Sequence, residues 1–151
     1  MDAPPSRYFI DSGPFVLDLA FPADPRTGLN RRFLQRVASI GGGWTAQVNV
    51  LEVAGAISFH SPAGRVRRLV DELSRMYAVR IWPAGARRLD EAIESVVERL
   101  MRCMTFGDAV VLCAAEQCRP RPRAFVTWNP RDFEGRTTLP VRTPRHILRG
   151  L

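Results

Sequence analysis

Short β-like runs alternate with segments of helical period along this chain, and that alternation narrows the fold more than any other feature. Aromatic and β-branched residues over 7–10 predict a first strand. Residues 79–82, the apolar run 124–127 and residues 139–142 predict three more, with a strand remnant at Trp44 and Thr45. Between them, Pro14 suits the first turn of a short helix. Phe33, Leu34, Val37 and Ile40 recur at helical spacing until Gly41, Gly42 and Gly43 end the segment. A helix over 46–59, with Thr45 as its N-cap, is apolar around most of its surface and should be largely buried. Two amphipathic helices follow. One covers 64–77, with Val66, Leu69, Val70, Leu73 and Met76 inward; the other covers 87–102, with Leu89, Ile93, Val96, Val97 and Leu100 inward. Thr105 opens a further helix that Arg119, Pro120, Arg121 and Pro122 end. Strands separated by helices predict an α/β fold, with a mainly parallel central sheet of about four to five strands and helices on both faces.

The 151 residues suit one compact domain spanning 1–151. A net charge of +7 points to a polyanionic partner, most simply nucleic acid. All 22 basic residues are arginine. Codon bias accounts for that, although arginine also pairs well with phosphate through its planar fork. The arginines of 65–68 and 119–123 are candidate phosphate contacts, with a solvated helix face as the plainer reading. Cys103, Cys113 and Cys118 are odd in number and match no zinc spacing, so they read as free thiols of a reducing compartment. The first residues lack the basic-then-apolar order of a secretory signal. No apolar run approaches transmembrane length, so a cytoplasmic protein without a membrane partner is expected. His60 falls at a helix end and His146 in a basic tail, neither in a known motif. The three glycines of 41–43 lack the lysine of a phosphate loop, and no G-x-S-x-G elbow is present.

Each acid of interest closes or opens an element. Asp11 follows the first strand, with Ser12 beside it; helix capping ahead of Pro14 is the alternative. Glu52 sits among Leu51, Val53 and Ala54, where burial would be expensive without a partner or a metal. A partly exposed stripe shared with Asn49 is the alternative there. Asp108 stands three residues after Thr105 in capping-box spacing, a role compatible with ligation because a capped acid is held in one orientation. Thr127, Asn129 and Asp132 follow a buried strand, where Asn-Pro and Asp also build ordinary turns.

In this order and spacing the pieces resemble the PIN-domain ribonucleases, and within them the VapC-type toxins of toxin–antitoxin pairs. The matching segments are Phe9-Ile10-Asp11-Ser12, Val50-Leu51-Glu52-Val53-Ala54, Gly107-Asp108-Ala109, and Val126-Thr127 with Asn129, Asp132 and Phe133. Together they cover nearly the whole chain. The resemblance implies a PIN-like α/β domain with catalytic positions at Asp11, Glu52, Asp108, Asn129 and Asp132. It implies metal ligation by Asp11, Asp108 and Glu52, and supporting hydroxyls from Ser12 and Thr127. The chain departs from the family where Gly13-Pro14 replaces a polar residue and where the fourth position is the amide Asn129.

The implied activity is Mg²⁺- or Mn²⁺-dependent hydrolysis of RNA phosphodiester bonds, in tRNA or rRNA among others. A hard cation takes oxygen ligands and retains several waters, so a few carboxylates suffice to hold it. A small antitoxin protein is the implied partner, docking as an amphipathic helix beside Phe33, Leu34 and Val37. A homodimer is expected through the exposed part of helix 64–77 and the Trp82 region. The alternative is a catalytically weak or inactive PIN-like module that binds RNA or a partner. A receiver or phosphatase domain also sets Asp at strand ends, but the chain has no lysine, and Gly13 stands where a phosphatase needs its second Asp.

Overall fold

The sheet assembles around the first strand. The computed structural model describes residues 8–82 and 93–150. Strands β1 (Tyr8–Ile10), β2 (Gly43–Ala46), β3 (Val79–Trp82), β4 (Ala124–Val126) and β5 (Val141–Arg142) lie in the order β3-β2-β1-β4-β5. Every neighbouring pair is parallel. Helices α1 (Ser12–Ala20), α2 (Thr27–Ser39), α3 (Gln47–Ser58), α4 (Ala63–Met76), α5 (Ile93–Leu100), α6 (Phe106–Gln117) and α7 (Pro144–Arg149) surround it. The expected α/β fold with a parallel sheet is the one observed.

Side chains alternate across a strand, so each strand feeds two cores. Phe9, Trp44, Trp82, Leu112, Phe125 and Phe133 pack on one face of the sheet. Ile10, Phe15, Phe33, Val53, Leu73 and Val126 pack on the other. Burial on both faces is what a parallel sheet under helices demands, and it explains why β4 reads as an unbroken apolar run.

Several local expectations need correcting. The remnant at Trp44 and Thr45 is a full strand with all four residues buried, and it pairs with both β1 and β3. Thr45 does not cap α3; Ala46 holds that position, and the Thr45 hydroxyl donates to the Ile10 carbonyl at 2.8 Å. Helix α3 is only half-buried, with Leu51, Glu52, Gly55 and Ser58 facing solvent. Phe33 and Val37 are buried in the core, while Leu34 borders a cavity of about 320 Å³ together with Asp18, Arg31, Met76 and Tyr77. Trp82 is buried edge-on against Trp44, with centroids 5.7 Å apart. Met76 is exposed, as are Ile93, Val97 and Leu100 of α5, which buries none of its residues. Leu89 lies outside the described residues.

The basic tail is helix α7. Thr143 caps it by accepting from the His146 amide, and Pro144 occupies its first turn. Thr143-Pro144 is an ordinary helix start, a cap followed by proline in the first turn. Gly42 has a mechanical role at the turn from α2 into β2. Its φ is +82°, and a Cβ there would lie 1.8 Å from the Ala78 carbonyl oxygen, so a side chain is excluded. Among the described residues, no helix is long and apolar enough to cross a membrane.

Candidate functional site

From β1 the chain winds outward through β2 and β3, then returns to place β4 and β5 on the other side. The carboxyl ends of β1 and β4 therefore adjoin where the winding direction reverses, the place where open α/β sheets hold ligands. Asp11 sits there. Its backbone N–H continues the ladder to the Val126 carbonyl at 3.0 Å. Its Oδ2 accepts from the buried Thr127 hydroxyl at 2.8 Å, so the first residue after β4 fixes the first acid after β1. Beneath it, the Ile10 carbonyl accepts from both the Thr45 hydroxyl and the Asn49 Nδ2. Asn49 also donates to Thr45 at 3.0 Å, which ties β1, β2 and α3 into one floor. The Asn49 Oδ1 is buried and has no hydrogen-bond partner.

Asp11 stands at the N-cap position of α1 but makes no side-chain capping bond, which removes the simple capping reading. Burial pushes its carboxyl up to about 6. The Thr127 hydroxyl and the Ser12 amide pull in the other direction, while the charges of Glu52 and Asp108 push it up further. Ser12 opens α1 at the half-exposed edge of the site.

Glu52 and Asp108 come from different helices. Glu52 projects from the exposed side of α3 and is not a buried acid as expected, whereas Asn49, one turn earlier, is fully buried. Gly107 lets Glu52 approach α6, since a Cβ at that position would fall 2.7 Å from Glu52 Oε1. Asp108 follows on the first turn of α6, where its backbone N–H donates to the Thr105 hydroxyl at 3.3 Å. That is half of the expected capping box, and it leaves the Asp108 carboxylate uncommitted. Among the described residues, no arginine pairs with Asp11, Glu52, Asp108 or Asp132. Asp18, Asp24, Asp71, Glu72 and Glu116 are each paired with one.

Asn129 and Asp132 form the outer margin. The backbone N–H of Asn129 donates to the Thr127 hydroxyl at 3.1 Å, and Asp132 ends a 3-10 turn over Pro130–Asp132. Both side chains are exposed, and the charge of Asp132 is not among those acting on Asp11. The structure thus brings together Asp11, Thr127, Glu52 and Asp108, with Ser12 adjoining, and sets Asp132 apart. Asn49 and Trp128 belong to the same edge. Asn49 was legible only as a neighbour of Glu52, and Trp128 gave no signal beyond its place between Thr127 and Asn129.

Among the described residues, no three His, Cys, Asp or Glu side chains form a ready-made metal cluster. The donor chemistry nevertheless fits a hard divalent cation: oxygen ligands only, mutually repelling, with an orphaned amide oxygen in the floor. Repulsion itself spreads such acids when no cation is bound, and the exposed Glu52 and half-exposed Asp108 have room to turn inward. No family model matches the chain, and no curated protein matches it significantly in sequence.

Proposed function

We propose that this chain is a metal-dependent endoribonuclease with a PIN-like domain, the VapC-like toxin of a toxin–antitoxin pair. One observation carries the reading. In a chain rich in arginine, the acids at the switch point of the sheet are left without cationic partners, and their charges act on one another. Among the described residues, Glu94, Glu98 and Glu134 also lack an arginine partner, but each is exposed on the surface. At the switch point the carboxyl of Asp11 is buried and feels the charges of Glu52 and Asp108, and that combination marks a functional site.

Asp11 and Asp108 would hold Mg²⁺ or Mn²⁺, with Glu52 as a further ligand. When bound, the cation neutralises charge on the phosphoryl oxygens and lowers the pKa of a coordinated water. The Thr127 hydroxyl holds Asp11 by Oδ2, and the Ser12 amide acts on the same carboxyl, so its orientation is fixed. Where Glu52, on the exposed side of α3, does not ligate the cation, it would orient the attacking water and receive its proton as the P–O bond forms. The leaving oxygen takes a proton from solvent as the opposite P–O bond breaks. Asn129 supplies an amide where a further acid would stand, and Asp132 lies outside the inner set.

The protein is proposed to act in the cytoplasm, where its free cysteines remain reduced. Leu51, Ile93, Val97, Leu100, Met101 and Phe106 expose apolar surface on α3, α5 and the start of α6, which supports a homodimer through this side. Sedimentation at micromolar concentration tests that; a pure monomer removes it. The second reading, an inactive RNA- or partner-binding module, is favoured by Asn129 and by the unclosed metal set. Incubation of total RNA with and without Mg²⁺ or Mn²⁺, beside an Asp11→Asn control, separates the two. Metal-dependent cuts that vanish in the control support the nuclease, and intact RNA in every lane favours the binding module.

A further inference from the structure

Beside the acids, on the β4 side, stands a second construction that hydrolysis does not require. Trp128 packs against Gly13, where a Cβ would lie 3.8 Å from the indole Cδ1. Its indole N–H donates to Asn30 Oδ1 at 2.9 Å, and the fully buried Asn30 in turn donates to the Pro14 carbonyl at 2.8 Å. The ring is therefore fixed in rotation as well as position. Above it lies the Arg26 guanidinium, 5.4 Å from the ring centroid. Asp24 grips one edge of that guanidinium with both carboxylate oxygens, at 3.0 and 2.8 Å from Nε and Nη2. The plane of the guanidinium is thus set, while Nη1 and nearly half of the side chain remain open to solvent.

The arginines singled out from sequence stand elsewhere. Arg65 and Arg68 line a cavity of about 300 Å³ with Leu19 and Ile57, at the far ends of α1 and α3. Residues 119–123 lead into the amino end of β4, the edge of the sheet opposite the acids. Arg26 is joined to the acid edge through Trp128, which follows Thr127.

We propose that Arg26, laid on Trp128, is the stacking wall of the substrate site: an unpaired nucleobase next to the cleaved phosphate stacks on the outer face of the guanidinium. This rests on the nuclease reading and narrows it to single-stranded or looped nucleic acid. Arginine planes and aromatic rings take splayed-out bases in this manner, whereas bases inside a continuous helix present no free face. Nη1 is then free for a neighbouring phosphate oxygen.

The test is binding of a fluorescein-labelled 12-nucleotide oligoadenylate in EDTA, where the strand stays intact, measured by anisotropy against the same sequence in a blunt duplex. The expected result is tighter binding of the single strand. Arg26→Ala and Trp128→Ala should each weaken it about 5- to 100-fold, the usual range for one stacked base. Arg26→Lys keeps the charge but not the plane, and should weaken binding nearly as much as Arg26→Ala. Arg75→Ala, on an exposed face of α4, should change it less than about two-fold. Arg26 is exposed, so its variants carry the test even if Trp128→Ala misfolds. Equal affinity of the Arg26 variants and the wild type overturns the proposal, as does full rescue by lysine, equal binding of duplex, or no binding at all. If metal-dependent cleavage persists while these variants bind normally, the wall falls and the nuclease stands. If the strand binds through Arg26 but no RNA is ever cut, the nuclease falls and the wall stands.

Discussion

Helix α1 and the residue before it carry two acids, each held by one hydroxyl at 2.8 Å: Asp18 by Tyr77, and Asp11 by Thr127. What surrounds the two pairs differs. Asp18 also accepts from Arg31 Nε at 2.7 Å, so its charge is cancelled where the chain needs only packing. Around that pair burial raises the Tyr77 hydroxyl, and the bond to Asp18 raises it further, so the phenol remains a donor. Asp11 has no such cation; its other electrostatic neighbours are Glu52 and Asp108. With arginine in excess over acids, leaving one end of the helix unneutralised costs stability, and the cost is intelligible if a cation or a substrate completes the charge balance.

The largest effect should come from exchanging each acid for its amide. Asp11→Asn and Asp108→Asn should each lower metal-dependent RNA cleavage by at least about 100-fold, because a ligand charge is lost where the reaction builds negative charge. Asp18→Asn should leave cleavage per folded molecule within a few-fold. Asp108→Asn should cost the metal-free fold no more than about 1 kcal/mol, since Thr105 is the cap and Asp108 gives up only its charge on the helix dipole. Relief of repulsion should offset even that. Cleavage gels and urea melts on the three variants decide the matter; an active Asp108→Asn would take Asp108 out of the site.

A smaller effect is expected at Gly107, which separates the two helices of the acid edge. Gly107→Ala favours α6 by up to about 1 kcal/mol through helix propensity. The new Cβ would also sit 2.7 Å from Glu52 Oε1 and force that side chain away. Stability should hold or rise while cleavage falls by roughly an order of magnitude, the reduction expected when an orienting group is displaced. A variant that is as active as the wild type would detach Glu52 from the chemistry.

This division between paired and unpaired acids is also where the sequence was least legible. Alternating runs revealed the parallel sheet because burial on both faces leaves a direct mark on residue choice. The ends of β1 and β4 were readable as element ends, so Asp11, Asp108 and Thr127 could be placed beforehand. The state of each acid was only partly readable: Asp24, Asp71 and Glu72 pair with arginines two to four residues away, but Arg31 meets Asp18 and Arg99 meets Glu116 across two helices. Glu52 looked buried because its neighbours in sequence are apolar, but helical rotation turns Val53 and Ala54 inward and leaves Leu51 and Glu52 outside. Trp128 was silent because its role comes from Asn30 and Arg26, contacts that no spacing rule encodes.

Titration should separate the two regions by sign. Below pH 3.8, Asp11 is protonated in both folded and unfolded chains and contributes nothing. As pH rises towards about 6, the unfolded chain releases its proton first, so the metal-free native state loses stability through that window. The loss is complete above it and amounts to about 3 kcal/mol. Asp11→Asn removes it. The variant should therefore melt higher than the wild type at pH 7.5 and no higher at pH 4, both in EDTA. Saturating Mg²⁺ should shrink the difference at pH 7.5 by stabilising only the wild type. A difference independent of pH would mean that Asp11 is not held against its ionisation.

The smallest effect should come from the paired acid's own hydroxyl. Tyr77→Phe keeps the ring packed on Phe15, whose centroid lies 5.0 Å away, and removes only the donor to Asp18. Arg31 still accompanies the carboxylate, so the group is not left as a bare buried charge. A net cost of about 1 kcal/mol is expected, the ordinary value of one hydrogen bond, with unchanged cleavage. Thr127→Val deletes the equivalent donor at Asp11, where no arginine remains to hold the carboxylate. Here cleavage should fall several-fold even when the variant is as stable as Tyr77→Phe, because the loss is of orientation rather than of packing. Parallel urea melts and cleavage assays on the two variants therefore compare two bonds of equal length. Equal loss of activity in both would erase the distinction between the two ends of α1.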